Sequence, residues 1–438
     1  MERLLLLLLA STAWGSQCSW DPKEAALECR LRPLDEAEAT MTLVLAKHQT
    51  QATRQLKVQC QAMEPLGQPL RSKRQRLRVD YKGSPAASSG GNRGGQAWPH
   101  LQSLQVEHCP LATIGVVLDG LSYEQTSASS DVLSHVIQPL LGGRPLSGLR
   151  HLSLVNVSAD LNSGLWCEIV SSNLVSLNLS SNGLDRLPLA ASEAVSGGSL
   201  GLGEDCKPMS SHLEVLNLSN NAISRLVIEA TDPWFPLASA SLTHLDVSRN
   251  RLQAIRLAKM QRLVVLDVSD NKLSSSKELM EAVKASASTL QELHAQGNQM
   301  EWLPNLATAK SKMNTVVHFD NLLVLNLSRN ALKEAAEGPH FVLSGLRSLV
   351  ALDLSHNKLT KVDDHLFSDL IHLQVLSLSH NQIVQLEPQS MASLTRLHVL
   401  VLSHNNLDEK GLPSDLLHRM SDLRSLSLDH NRLKSLPR

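Results

Sequence analysis

From Leu174 onward the chain repeats one figure of apolar and polar positions, L-x-x-L-x-L-x-x-N-x-L, with small substitutions. Leu174, Leu177, Leu179, Asn182 and Leu184 make one copy, and Leu213, Leu216, Leu218, Asn221 and Ile223 make the next. Later copies carry their asparagine at Asn250, Asn271, Asn298, Asn330, Asn357, Asn381, Asn405 and Asn431, at steps of 21 to 39 residues from Asn182 onward. Two degenerate copies come earlier. Leu101, Leu104, Val106, Cys109 and Leu111 fit with cysteine in the asparagine slot, and Leu149, Leu152 and Leu154 fit with Val157 in that slot.

Each position in the figure has a physical role. The L-x-L core reads as a short strand whose leucines point inward while the residue between them points out. The asparagine side chain is expected to bond backbone groups at the turn that follows, so that successive turns build a buried amide ladder. One repeat cannot cover its own apolar face, and stacking covers it. A helix bundle would need apolar residues at a 3.6-residue period and leaves a fixed asparagine without a purpose. The figure therefore predicts an α/β solenoid, a horseshoe with a parallel sheet on its concave side, over residues 100–438. With aromatics at only 3%, its core must be made almost wholly of leucine.

The first hundred residues are organised differently. Met1 to Ser16 reads as a signal peptide, with Arg3 as its positive charge, Leu4 to Ala10 as its apolar run and Ala13-Trp14-Gly15 as its cleavage site. That run is far shorter than the ~20 residues of a membrane span, and no later stretch reaches that length. Residues 17–70 read as an N-terminal cap, because the first turn of a solenoid has no upstream neighbour. Residues 71–99 read as a linker, basic from Arg71 to Arg76 and then rich in glycine and serine from Gly83 to Gly95. Gly120 to Gly143 and Ala190 to Gly203 read as insertions. Six cysteines, Cys18, Cys29, Cys60, Cys109, Cys167 and Cys206, all fall in the first half, and in a secreted chain they suggest disulfides. Cys18 with Cys29 is the preferred pair, a short loop that closes easily. Cys60 and Cys109 are left over, with Cys109 equally readable as a buried free thiol.

Charge and candidate chemistry narrow the function. A net charge of -1 argues against nucleic acid as the main partner, since phosphate binding needs a basic surplus. The chain has no H-E-x-x-H and no C-x-x-C, no cofactor is expected, and action by binding rather than catalysis is the reading. Asp246, Asp267 and Asp353 share an outward strand position, where they read as solvated carboxylates without a pocket. Asn156, Asn178, Asn217 and Asn326 each open a glycosylation sequon. The last three lie between strand leucines, so a sugar would screen that part of the concave face. The candidate binding face is then Asp246, Asp267, His294 and Asp353, or a lateral edge. His356, His380, His404 and His430 each precede a repeat asparagine, so strand spacing should stack them in a column. The column reads either as a common filling of the consensus or as an acid sensor driven by mutual repulsion. Arg71-Ser72-Lys73-Arg74 reads either as a solvated charge run or as a convertase cleavage site.

The repeat figure marks the chain as resembling the leucine-rich-repeat superfamily over residues 101–438. Cys18-Ser19-Trp20, followed by Leu27-Glu28-Cys29-Arg30-Leu31-Arg32, resembles the N-terminal cap of the long Toll-type receptors of invertebrates. Leu165-Trp166-Cys167 and Glu204-Asp205-Cys206 are similar to a cysteine pair of that group, which implies a Cys167–Cys206 bond. The resemblance further implies a type I membrane receptor whose repeats bind a protein ligand or a second ectodomain, and whose cytoplasmic TIR domain signals. It would reach the plasma membrane only through parts not in this sequence. The chain stops at Leu436-Pro437-Arg438, just after a repeat's opening strand. An uncapped end would expose a leucine row, so an incomplete gene product is expected. The rival expectation is a secreted adhesion or matrix protein built of the same repeats. A hydrolase hidden in the insertions is a third.

Overall fold

A computed structural model describes residues 16–21, 23–24, 26–31, 40–45, 54–60, 76–81, 102–108, 114–115, 149–157, 173–185, 212–228, 241–257, 260–302, 319–333, 343, 345–364, 366–413, 416 and 420–435. The Arg71–Arg74 run, the Gly83–Gly95 stretch, both insertions, Cys109, Cys167 and Cys206 lie outside them. The chain divides into two units, Met1–Leu218 and Ser219–Arg438.

In the first unit the strands are β1 (Ser16–Asp21), β2 (Ala26–Leu31), β3 (Thr40–Leu45), β4 (Gln55–Cys60), β5 (Arg76–Tyr81), β6 (Ser103–Glu107), β7 (Ile114–Gly115), β8 (His151–Val155), β9 (Ser176–Asn178) and β10 (Val215–Asn217). β1 and β2 are antiparallel. From β2 onward, β4, β6, β8, β9 and β10 add in parallel, one per turn of the chain. Parallel pairing needs a crossover between successive strands. Leu56, Leu104, Leu152, Leu177 and Leu216 form one inward column, none more than 3% exposed.

Two expectations change here. β4 lies in the region assigned to the cap yet pairs with β2 on one side and β6 on the other, so the parallel sheet begins before residue 100. Arg76–Tyr81, expected inside the linker, is β5, which pairs in parallel with β3 and β7. The reason is legible in hindsight: Leu77, Val79 and Tyr81 alternate with Arg76, Arg78 and Asp80, a strand period masked by the neighbouring basic run.

The second unit carries β11 (Arg225–Ile228), β12 (His244–Asp246), β13 (Ala254–Leu257), β14 (Val265–Asp267), α1 (Ser276–Val283), β15 (Glu292–His294), β16 (Val324–Asn326), β17 (Ala351–Asp353), β18 (Lys361–Val362), β19 (Val375–Ser377), β20 (Gln385–Leu386), β21 (Val399–Val401) and β22 (Ser425–Ser427). β12, β14, β15, β16, β17, β19, β21 and β22 form a parallel sheet in unbroken register. Leu266, Leu293, Leu325, Leu352, Leu376 and Leu400 stack directly, each at most 1% exposed. β11 with β13 and β18 with β20 form short parallel pairs after the asparagine turn.

Two described return limbs are tight turns in which every third side chain points inward. Phe367, Leu370 and Leu373 are all fully buried, with the Leu370 N–H donating to Phe367 O and the Leu373 N–H to Leu370 O. Met391, Leu394 and Leu397 repeat the device one turn later. Among the described residues, the limb after β14 is helical. α1 starts at Ser275, whose hydroxyl accepts the Glu278 N–H at 3.2 Å, and it buries Leu279, Met280, Ala282 and Val283.

Successive turns, or rungs, are joined by the asparagines. The Asn381 amide donates to Leu378 O in its own rung at 3.0 Å and to Leu354 O in the rung before at 2.9 Å. Its oxygen accepts the Leu359 N–H of that earlier rung at 3.1 Å. Asn182, Asn271, Asn298, Asn330, Asn357, Asn405 and Asn431 repeat both cross-rung bonds. Asn250 accepts from Ile223 N and donates within its own turn, and Asn221 donates to Ser219 O. The bonds run back to the preceding rung's main chain, so the ladder alternates side chain and backbone.

The residue before each asparagine has a left-handed backbone. Arg249, Asp270, Arg329, His356, His380, His404 and His430 have φ between 51° and 54°. That conformation costs a non-glycine residue on the order of 1 kcal/mol or more. It turns the residue's N–H toward the next rung, where His356 donates to Ser379 O, His380 to Ser403 O and His404 to Asp429 O at 2.9–3.0 Å. The bond offsets the strain.

Replacing Asn381 by alanine should strand the Leu359 N–H in the interior, while Leu354 O and Leu378 O keep the amides of Asn357 and Asn405. A loss of about 1–3 kcal/mol follows from stranding that buried donor, with faster amide exchange at Leu359 than at amides in unit 1. A Gln382→Ala control on the exposed flank should stay within about 0.5 kcal/mol. Gly411→Ala should cost about 1–3 kcal/mol by overpacking, because a Cβ there would stand 1.9 Å from Val384 O. Chemical denaturation of the three variants measures the stabilities, and hydrogen–deuterium exchange measures the Leu359 amide.

Candidate functional site

The stacked strands of the second unit present two outward rows. The residue after each strand leucine gives Asp246, Asp267, His294, Asn326, Asp353, Ser377 and Val401, neighbours in register. The residue before it gives His244, Val265, Glu292, Val324, Ala351, Val375 and Val399. All are part-exposed or exposed.

The first row holds the residues singled out from sequence, and most have a structural duty. Asp246 accepts the Ser248 N–H at 2.9 Å, Asp267 the Ser269 N–H at 2.8 Å and Asp353 the Ser355 N–H at 2.9 Å. Asn178 and Asn326, both sequon asparagines, accept from Ser180 and Ser328 in the same way. Each is an Asx turn that lets the chain leave the strand. One carboxylate oxygen of each aspartate is therefore committed to the fold, while the side chains stay part-exposed. His294 differs, lying 3.2 Å from the Glu292 carboxylate. Asn156 is exposed, with φ 51°, and its amide lies 3.1 Å from His108 Nδ1.

The second row was missed from sequence. Val324, Ala351, Val375 and Val399 sit on four adjacent strands, an apolar strip ~14 Å long at the usual strand spacing. Val375 is 39% exposed and Leu323, beside Val324, is 38% exposed. Reading the position before each strand leucine as a column would have found it.

A third feature is the lateral column of left-handed residues. In its earlier part Arg329 reaches over one rung to Asp270 at 3.2 Å, and Arg249 approaches the same carboxylate at 3.9 Å. Gly297 lies between and leaves the space, since a Cβ there would stand 2.2 Å from Asp270 Oδ1. Further along, His356, His380, His404 and His430 stack with ring centroids 4.1, 4.0 and 4.1 Å apart and planes within 12°. Desolvation between its neighbours, and the charges that His380 and His430 can carry, hold the His404 pKa below the ordinary imidazole value, against the pull of Asp429. Asp429 is held below the usual carboxylate range, first by the Ser427 hydroxyl at 2.6 Å.

In the first unit the β1–β2 register sets Cys18 opposite Cys29. Opposed residues in antiparallel strands have Cα atoms about 4.5–5.5 Å apart, inside the disulfide range of about 4.4–6.8 Å. Cys60 ends β4 and pairs in register with Leu31. A Gly197-Gly198-Ser199-Leu200-Gly201 string has the spacing of a hydrolase nucleophile turn. It was passed over in sequence, and it lies in a small-residue stretch outside the described residues.

The comparisons agree with this architecture. The leucine-rich-repeat family models match residues 347–407 and 210–224. Pig (Sus scrofa) fibromodulin is 39% identical over 85 residues, 19% of this chain and 50% of fibromodulin. Rat (Rattus norvegicus) lumican is 29% identical over 215 residues, 46% of this chain and 62% of lumican. The chain thus spans about half of fibromodulin and under two thirds of lumican. Among solved structures, a TLR13–ssRNA13 complex superposes with a TM-score of 0.51 at 17% identity, covering 91% of this chain and 62% of that one, a likeness of fold. The chain is a leucine-rich-repeat protein, and its fold is the leucine-rich-repeat solenoid.

Digestion of the secreted chain without reduction should release a peptide pair joined through Cys18 and Cys29. Either cysteine found alkylated, or bonded elsewhere, would refute that pairing.

Proposed function

We propose that this chain is the extracellular, protein-binding region of a Toll-type receptor, and that it binds through the outer face of the parallel sheet in its second unit. The observation that carries the binding reading is the apolar strip Val324, Ala351, Val375 and Val399. It is flanked by His294 and Asp353, groups that can hydrogen-bond a partner. Apolar side chains held outward on a rigid sheet, rimmed by polar ones, suit a protein partner better than solvent. The signal peptide read at the N-terminus, the four sequons and the cap cysteines support an extracellular setting. The resemblance of Cys18-Ser19-Trp20 and Leu27 to Arg32 to a Toll-type cap supports the receptor form. Signalling would come from a membrane span and a TIR domain outside these residues. Among the described residues, no helix is long and apolar enough to cross a membrane.

A second reading is favoured by the sequence relatives. Fibromodulin and lumican match locally at 39% and 29% identity, which supports a secreted matrix protein using the same face for adhesion. A span and TIR domain in the full transcript select the receptor. A C-terminal cysteine cap followed by a stop selects the matrix protein.

A photoreactive side chain at Val375, in the chain secreted from cultured animal cells, should crosslink to one discrete extracellular or cell-surface protein. The same group at Gln389, off the sheet face, should not. Val375→Glu should abolish capture of that protein with an unchanged unfolding midpoint, since Val375 is exposed. Equal crosslinking from both positions would sink the assignment of this face.

A further inference from the structure

We propose that His404, Asp429 and His430 form a binding site for a divalent transition-metal cation of the zinc–copper class, at the lateral edge of the β21 and β22 rungs. The three side chains offer two imidazole nitrogens and one carboxylate oxygen, all within 4.8 Å of one another. Asp429 Oδ2 stands 3.8 Å from His430 Nε2, and the His404 and His430 rings lie 4.1 Å apart. Around a tetrahedral zinc, with bonds of about 2.0–2.2 Å, ligand atoms sit roughly 3.3 Å apart. His430 and Asp429 are exposed and His404 part-exposed, so small side-chain rotations close that difference.

The donor set points to the metal class. Imidazole with carboxylate suits zinc, copper and nickel, while magnesium and calcium prefer oxygen alone. Three protein ligands leave one or more positions for water or for a group brought by a partner.

The backbone fixes this arrangement before any ion arrives. His404 and His430 both have φ 54°, and the His404 N–H is tied to Asp429 O at 3.0 Å. The residue that anchors one histidine thus presents its carboxylate to the other. In the three preceding rungs the position of Asp429 is held by Ser355, Ser379 and Ser403, all buried. The histidine column therefore gains an acidic ligand at this rung and at none of those three.

Calorimetric titration of the full secreted chain with Zn2+ at neutral pH, after chelator treatment, should show one saturable site that His404→Asn, His430→Asn and Asp429→Ser each weaken at least ~10-fold. Asparagine tolerates the left-handed backbone, and serine is what the earlier rungs carry, so circular dichroism should show these variants folded. His356→Asn, two rungs away from His404, should leave the affinity unchanged. The site is refuted by no saturable uptake, by uptake that survives in the folded triple variant, or by an equal loss in His356→Asn.

Discussion

A side-chain amide that donates to the carbonyl of the preceding rung while its oxygen takes that rung's N–H is what ties each turn of this chain to the next. Strand pairing alone joins only the three residues at each L-x-L core. The far side of the turn would be left with buried, unanswered polar groups, each costing about 1–3 kcal/mol. Asn357, Asn381 and Asn405 answer them, and they are at most 8% exposed. The left-handed residue just before completes the joint in the other direction by donating to the rung ahead. Every rung is thereby held from both sides, and the leucine column is held in line because the polar bonds fix its register.

With the interior so constrained, variety moves to positions that the frame fixes in space but not in kind. The residue before each strand leucine changes from histidine to valine, glutamate, alanine and serine with no change in strand register. The left-handed position runs through arginine, aspartate, glycine and histidine. Rows of such positions become surfaces whose chemistry is set rung by rung: an apolar strip across β16 to β21, a charge cluster on Asp270, a stack of imidazoles.

Much of the frame was legible from the sequence because it rests on a small set of residue types. Leucine fits the inward strand slot, and asparagine alone offers donor and acceptor together at that reach, so the ten copies from Leu174 could be placed by eye. The region before residue 100 was less legible. β4 and β5 keep the period of a strand but are followed by no asparagine at the repeat spacing, and the basic run beside β5 suggested a linker. On the surface, charged residues drew the eye to Asp246, Asp267 and Asp353, which the structure shows serving their own Asx turns. The apolar strip was hidden because its members are scattered 24 to 27 residues apart in sequence and meet only through register.

The asparagine steps vary from 21 to 39 residues, yet the leucine columns within each unit do not slip. Because each rung is clamped at the turn and at the strand, chain length between clamps is decoupled from geometry. A solenoid of this kind can acquire extra segments at one turn without disturbing its neighbours, so insertion and deletion, more than point substitution, are open to it as a route to new outlines.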